Sequence, residues 1–278
     1  METKLSPFLK WVGGKTQLLE KIKESLPYKY RTYYEPFVGG GAVFFGLCPK
    51  IAVINDKNSA LMNAYRQIRD NPKDIIELVN KFDSDIGKCG KEYYYEARDK
   101  FNRKLLCHIY DIECASLFIF INKHCFNGLY RVNNHGLFNV PYNNASNVRS
   151  INENNIMNIS AYLQNVDIRE GDFEDSLSDV SESDFVFIDS PYIPISDTSF
   201  ISYTKDGFSI EDHIRLSYLI DDLTHKGVYV MCTNHNSDAI KSLYANKGYL
   251  VEEVSVKRFI NSDAFNRVGE EIIIRNYE

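Results

Sequence analysis

Short apolar runs alternate with amphipathic stretches along the chain, and several runs stop at a carboxylate or a glycine. Arg31–Val38 reads as a strand that runs into Gly39, Gly40 and Gly41, and the apolar Ala42–Phe45 then opens a helix. Ile51–Asn55 is a second strand, ending at Asp56. Val166–Ile168, Phe185–Ile188, Gly227–Thr233, Tyr249–Val256 and Glu271–Asn276 continue the strand pattern. Between them, helical spacing marks Thr16–Ser25, with Leu18, Leu19 and Ile22 on one face. It also marks Asn58–Arg69, Asn152–Gln164, Ile210–Lys226 and Ser237–Asn246. Strands alternating with helices predict an α/β fold with a Rossmann-like sheet.

One block breaks the alternation. Asn71-Pro72 supplies a cap residue and a proline at the first helical position. Further helical patterns follow at Glu92–His108 and Asp111–Asn122, where a third strand is due. An insertion beginning near Asn71 accounts for this. Its far end, Leu129–Val132 and Leu137–Val140, reads as two strands of a hairpin. Asn133, Asn134, His135 and Gly136, which tolerate positive φ, form the connection. The expected division is 1–70 with 151–278 for the main domain and 71–150 for the insert.

Composition narrows the class. With 278 residues, 44% of them hydrophobic, the chain can build a sizeable core. It has no apolar run long enough to span a bilayer and no signal-peptide core at Met1–Trp11, so the expectation is a cytoplasmic protein without membrane contact. The six cysteines form no CxxC pair and the histidines show no ligand spacing beside them, so no metal site is expected. The net charge of −6 argues against a non-specific nucleic-acid binder. However, Ser116–Asn152 contains no acidic residue and carries Lys123, Arg131 and Arg149. Such a segment suits a surface that reads nucleic acid.

The candidate chemistry lies at strand ends. A glycine turn after the first strand, with an acid after the second, points to an adenosine-bearing cofactor. The GxGxxG fingerprint fails because Phe44 takes the third glycine position, which counts against a nicotinamide or flavin dehydrogenase. Phe185–Ile188 leads into Asp189, Ser190, Pro191 and Tyr192. A carboxylate, a backbone carbonyl and an aromatic ring can clamp a flat amino-bearing ring. Both oxygens accept amino hydrogens and enrich the nitrogen. Asp172-Phe173 suits the edge and face of an adenine, although a turn with a buried Phe reads equally well. Phe8–Lys15, FLKWVGGK, allows a close backbone approach at its glycines. Arg131 on an exposed hairpin can take a guanine bidentately. Ile193–Ser209 is a polar loop long enough to serve as a lid or binding loop.

Taken together, FLKWVGGK, YYEPFVGGGAVFF, IND, FNGLYRVN…GLFNVPY, GDFE, DSPYIP and RFIN…NRVGEEIIIRNY stand in an order that resembles the Dam family of DNA adenine-N6 methyltransferases in the alpha arrangement. The resemblance spans Phe8 to Tyr277 and is strongest to GATC methylases. It implies a seven-stranded methyltransferase sheet with an antiparallel last strand and an inserted target-recognition domain of helices and a β-hairpin. It also implies S-adenosyl-L-methionine as cofactor and double-stranded DNA as partner. On it, Trp11, Lys15, Glu35, Pro36, Phe37, Gly39, Gly41, Asp56, Asp172, Phe173 and Asp189 hold the cofactor, and Asp189, Ser190, Pro191 and Tyr192 are the catalytic motif. Lys123, Phe126, Asn127, Leu129, Arg131 and Pro141 meet DNA. Phe126 would wedge into the gap left by a flipped adenine, Arg131 would read guanine, and Leu129 and Pro141 would pack on thymine methyls. The resemblance also implies a functional link to a restriction endonuclease and a monomer or weak dimer.

The motif departs from the family at one position, where Ser190 replaces the first proline. The carbonyl remains, but a ring that fixes φ is lost. A slower enzyme is the expectation. The competing reading is a weakened or silent homologue that still binds DNA and cofactor. A methyltransferase for amino groups of RNA or protein is a third, but it would not need FNGLYRVN in a large insert.

Overall fold

The computed structural model describes residues 5–145, 148–192, 207–244, 247–257 and 268–278. Among them seven strands form one sheet, β1 (Tyr33–Glu35), β2 (Ala52–Ile54), β3 (Val166–Ile168), β4 (Phe185–Ile188), β5 (Tyr229–His235), β6 (Leu250–Lys257) and β7 (Val268–Arg275). Their order is β3-β2-β1-β4-β5-β7-β6, and β7 runs antiparallel to both its neighbours. The helices are α1 (Leu19–Glu24), α2 (Ala42–Leu47), α3 (Ser59–Asp70), α4 (Pro72–Cys89), α5 (Lys91–Leu106) and α6 (Ile112–His124). They continue with α7 (Glu153–Leu163), α8 (Phe173–Ser176), α9 (Ile210–His225) and α10 (Asp238–Tyr244). The expected sheet is present, with its antiparallel strand at β7.

The central strands are largely apolar because both faces are covered. Alternate residues enter two cores. Tyr33, Ala52, Ile54, Phe185, Phe187, Met231 and Ile273 pack with α2 to α7 on one side. Tyr34, Val53, Val186, Ile188, Val230, Cys232, Ile272 and Ile274 pack with α8, α9 and α10 on the other. Burying a side chain such as Phe187 or Ile188 contributes roughly 1.5–3 kcal/mol each. β1 is flanked by β2 and β4, so the sheet reverses its winding between β1 and β4. Open α/β sheets place ligands beyond the carboxyl ends of strands at such a switch point.

Helices α4, α5 and α6 occupy the segment between β2 and β3, as the pattern predicts, and their side chains share a continuous core with α3 and α7. α6 is buried almost all round, from Cys114 to Asn122. Asp111 caps it, accepting from the Cys114 N–H at 2.8 Å. Asn71 precedes α4 without capping it, because its amide donates backwards to Gln67 at 2.8 Å.

The hairpin differs from expectation. Leu129–Val132 and Leu137–Val140 are not strands; isolated bridges join Val132 to Phe138 and Cys125 to Tyr142. The turn itself forms: the Leu137 carbonyl accepts from the Asn133 N–H at 2.9 Å, and the Asn133 side chain accepts from His135 and Leu137. The outer edge of the second arm bonds to helix side chains in place of a ladder. Asn102 brackets Phe138 by accepting its N–H and donating to its carbonyl, and the Tyr94 hydroxyl donates to the Val140 carbonyl at 2.8 Å. Residues 193–206 of the expected covering loop, and 258–267 of the late motif, lie outside the described residues.

Candidate active site

A cavity of about 790 Å³ opens at the switch point. Its walls come from the residues after β1, β2, β3 and β4, from the Lys10–Leu18 segment, from His235 at the end of β5 and from Glu271 of β7. Such a volume fits a cofactor-sized ligand with room beside it.

On one side the cavity is apolar and acidic. Phe37 and Phe173 pack with ring centroids 5.4 Å apart, and Phe208 stands edge-on to Phe37 at 5.6 Å. Asp172 caps α8 through the Glu174 N–H at 3.0 Å, while Arg215 pairs with both Asp172 and Glu174 at 3.0 Å. Asp56 accepts from the Gly39 N–H at 3.1 Å and from Asn58 at 3.0 Å. Burial pushes its carboxyl up to about 6 against those backbone bonds. Asn55 ties the floor by donating to the carbonyls of Pro36 and Gly171 at 3.0 and 3.1 Å.

The glycine turn is required sterically. A Cβ at Gly40 would lie 2.7 Å from the Trp11 Cβ, and one at Gly41, which has φ of 74°, would lie 2.6 Å from the Tyr65 hydroxyl. Trp11 therefore packs under the turn, and its indole stacks on Tyr130 at 5.5 Å. Glu35 is buried and accepts from the Tyr33 hydroxyl. Burial, and Asp189 nearby, hold its carboxyl well above the usual carboxylate range.

On the other side stands the Asp189–Tyr192 motif. Lys15 Nζ lies 2.7 and 2.8 Å from the two Asp189 oxygens, donates to the Gly13 carbonyl at 2.8 Å, and sits 4.6 Å from the Tyr192 ring centroid. Thr233 donates to Asp189 Oδ1 at 2.9 Å. The Tyr192 hydroxyl donates to Glu271 at 2.9 Å. Ser190 is 2% exposed, and its hydroxyl finds no partner among the described residues. The arrangement offers a carboxylate and a ring face to a donor-bearing planar group, next to a pocket whose acid and aromatic walls suit a nucleoside. Asp56, Phe37 and Phe173 all line that side of the cavity. Among the described residues no group of three His, Cys, Asp or Glu side chains gathers for a metal ion, and no helix is long and apolar enough to cross a membrane.

The profile of the family described as D12 class N6 adenine-specific DNA methyltransferase matches residues 11–258. The chain belongs to that family. It is also 42% identical, over 98% of its length and 96% of the relative's, to the type II methyltransferase M1.LlaDCHI of Lactococcus lactis subsp. cremoris. It is 41% identical to the type II methyltransferase M.MjaIII of Methanocaldococcus jannaschii, with 100% of both chains covered. Against the DNA adenine methylase of Escherichia coli K12 it is 29% identical over 98% of this chain and 95% of the other. The methyltransferase therefore uses S-adenosylmethionine as methyl donor. Full-length similarity to two type II methyltransferases does not favour the silent-homologue reading.

Of the six residues expected to meet DNA, Asn127 lines the cavity of the methyltransferase. It adopts φ of 55°, beside Gly128, where an added Cβ would lie 2.4 Å from the Lys10 Cβ. Phe126, at 52% exposure, stands out from the end of α6, where its N–H donates to the Pro141 carbonyl at 2.8 Å. Arg131 donates through Nε to Asn139 at 2.8 Å, and Leu129 is half-buried. Lys123 sits at the last turn of α6. Burial, and Lys10 nearby, pull its ammonium down to about 8.

Several participants escape the motif reading. Lys10 lines the cavity, its backbone N–H and carbonyl both bonded to the Asn122 amide at 2.8 and 2.9 Å. Thr233 and His235 enter from the last residues of β5, and Glu271 from the middle of β7 opposite His235. The polar run Thr233-Asn234-His235, closing an apolar strand, was a usable signal for two of them. Glu271 lay inside the late NRVGEEIII stretch, but no role was read from it.

Proposed function

We propose that this methyltransferase transfers a methyl group to N6 of an adenine flipped out of duplex DNA, within GATC. The observation that carries the reading is the convergence of Asp189, Ser190 and Tyr192 on a cavity whose other wall is Asp56, Phe37, Asp172 and Phe173. Residues 71–150 act as the recognition insert between 1–70 and 151–278.

The chemistry then follows from these groups. Phe126 fills the gap that the adenine leaves, offsetting an unstacking cost of a few kcal/mol. The extruded ring lies on Tyr192. Its two amino hydrogens go to the Asp189 carboxylate and the Ser190 carbonyl, which enriches the nitrogen lone pair and aims it at the cofactor side of the cavity. When bound, S-adenosylmethionine supplies an electrophilic methyl on sulfur. Asp189 accepts the amino hydrogen bond as positive charge builds on nitrogen. Lys15 must yield Asp189 to the incoming amine. Arg131 reads guanine, Leu129 and Pro141 pack on thymine methyls, and Asn127, Lys123 and Lys10 border the path of the strand. Apolar readout and one bidentate arginine suit a short A·T-centred site. The relatives named type II methyltransferases support a role beside a restriction endonuclease. A monomer or weak dimer is sufficient for such a site.

Methyl-labelled S-adenosylmethionine and two short duplexes test the reading. One carries unmodified GATC and the other GATC with both adenines already N6-methylated. Label entering only the first is expected. Label entering both duplexes would overturn the GATC assignment and the roles given to Arg131, Leu129 and Pro141.

A further inference from the structure

The platform on which the acceptor ring is read to lie is itself held. Tyr192 donates its hydroxyl to Glu271 Oε2 at 2.9 Å, across 79 residues of chain. The His235 ring stands edge-on to the Tyr192 ring, with centroids 4.2 Å apart. His235 and Glu271 are register partners on β5 and β7, the antiparallel pair beside β4. The loop that carries Tyr192 is thus tied to β5, the neighbour of its own strand, and to β7 beyond it.

Stacking needs only the ring, so a phenylalanine would serve that purpose as well. Accepting the amino hydrogens needs only Asp189 and the Ser190 carbonyl. The Tyr192 hydroxyl therefore has no part in the chemistry of the motif. What it adds is a charge-assisted bond to a carboxylate at the far end of the ring, which fixes both side-chain torsions of the tyrosine. A planar platform contributes to rate only when its plane is fixed relative to the attacking nitrogen, since small misplacements of reacting groups are heavily penalised. We infer that Glu271 is a positioning residue for the reaction, acting through the Tyr192 hydroxyl to set the plane of the acceptor ring. The inference rests on the reading of Tyr192 as the stacking face. Burial, with Asp189 and Glu271 nearby, holds the phenol well above its ordinary value, so it remains a donor throughout the working range.

Single-turnover methyl transfer to a GATC duplex, with DNA and cofactor affinities measured alongside, tests this in five variants. Tyr192→Phe and Glu271→Ala are each expected to slow the transfer step about tenfold while both affinities stay within about twofold. Tyr192→Phe/Glu271→Ala is expected to be no slower than either single variant, because both remove the same bond. Glu271→Gln, whose amide oxygen still accepts, is expected to recover most of the rate. A wild-type rate in Tyr192→Phe would overturn the inference, and it does so even where Glu271→Ala fails to fold. Losses that multiply in the double variant, or Glu271→Gln as slow as Glu271→Ala, would overturn it too. Tyr192→Ala separates the two levels. If it transfers methyl at the wild-type rate, the stacking reading itself falls. If it is slow while Tyr192→Phe is not, only the role of Glu271 falls.

Discussion

Lys15 and Asp189 form a two-point ion pair, with Nζ 2.7 Å from one carboxylate oxygen and 2.8 Å from the other. The same ammonium lies 4.6 Å from the Tyr192 ring centroid, so it occupies the donor position that the acceptor amine is proposed to take. Lys15 is 4% exposed and Asp189 is the better solvated partner. Truncating the lysine leaves Asp189 with Thr233 as its neutral donor. Lys15→Met is therefore expected to lower the unfolding free energy by about 1–3 kcal/mol, less than a fully buried pair would lose. A fall in the urea midpoint at unchanged slope would register it. An unchanged midpoint would mean that the pair contributes nothing net.

Asp56 gives the cofactor side a pH dependence. Burial raises its carboxyl from 3.8 to about 6. Because the folded value is raised, the ligand-free fold gains stability at this residue as pH falls from 6 towards 4. Binding runs the other way, since a protonated Asp56 is a poorer acceptor for ribose hydroxyls. S-adenosylmethionine affinity is expected to fall about tenfold from pH 8 to pH 5, and Asp56→Asn is expected to bind weakly with a flat profile. Equilibrium dialysis with labelled cofactor would measure both, and a flat wild-type profile would remove Asp56 from the binding set.

Ser190 combines a departure from the motif with a physical defect. Its hydroxyl is buried and has no partner among the described residues. A stranded polar group of this kind costs about 1–3 kcal/mol. Ser190→Ala is expected to raise the denaturation midpoint. Ser190→Pro is expected to do so as well and to speed single-turnover transfer modestly by stiffening the loop. A drop in midpoint for Ser190→Ala would mean that the hydroxyl has a partner in the working enzyme.

Lys123 predicts the opposite pH trend on the DNA side. With its ammonium pulled down to about 8, it loses charge as pH rises from 7 to 9. Duplex affinity at fixed salt is expected to weaken by up to about tenfold over that range. Lys123→Arg stays charged and is expected to flatten the curve. Identical curves for the two proteins in fluorescence anisotropy would exclude Lys123 from contact with the backbone.

The sequence carried the sheet well where physics left few options. Phe185–Ile188 is an apolar run and Val166–Ile168 alternates buried and exposed positions, each closed by polar residues, and the structure keeps their bounds. The hairpin around Asn133–Gly136 was legible as a turn but not as a bridge-only arm, because its edge bonds go to Asn102 and Tyr94, which sit 36 and 46 residues from their partners. The four-residue helix α8 hid behind Asp172, whose capping role resembles a turn. The motif located Asp189 and Tyr192, yet their partners Lys15, Thr233 and Glu271 lie 174, 44 and 79 residues away, and no local pattern joins them.

In the proposed reaction Asp189 accepts an amino hydrogen of the adenine at the moment of transfer. Single-turnover methylation of a GATC duplex by Asp189→Ala, with DNA and cofactor binding measured on the same preparation, tests it most directly. Asp189→Ala is expected to lose about a thousandfold or more in the transfer step while the duplex is still bound. Transfer within tenfold of the wild type, with the label still on adenine N6, would contradict it.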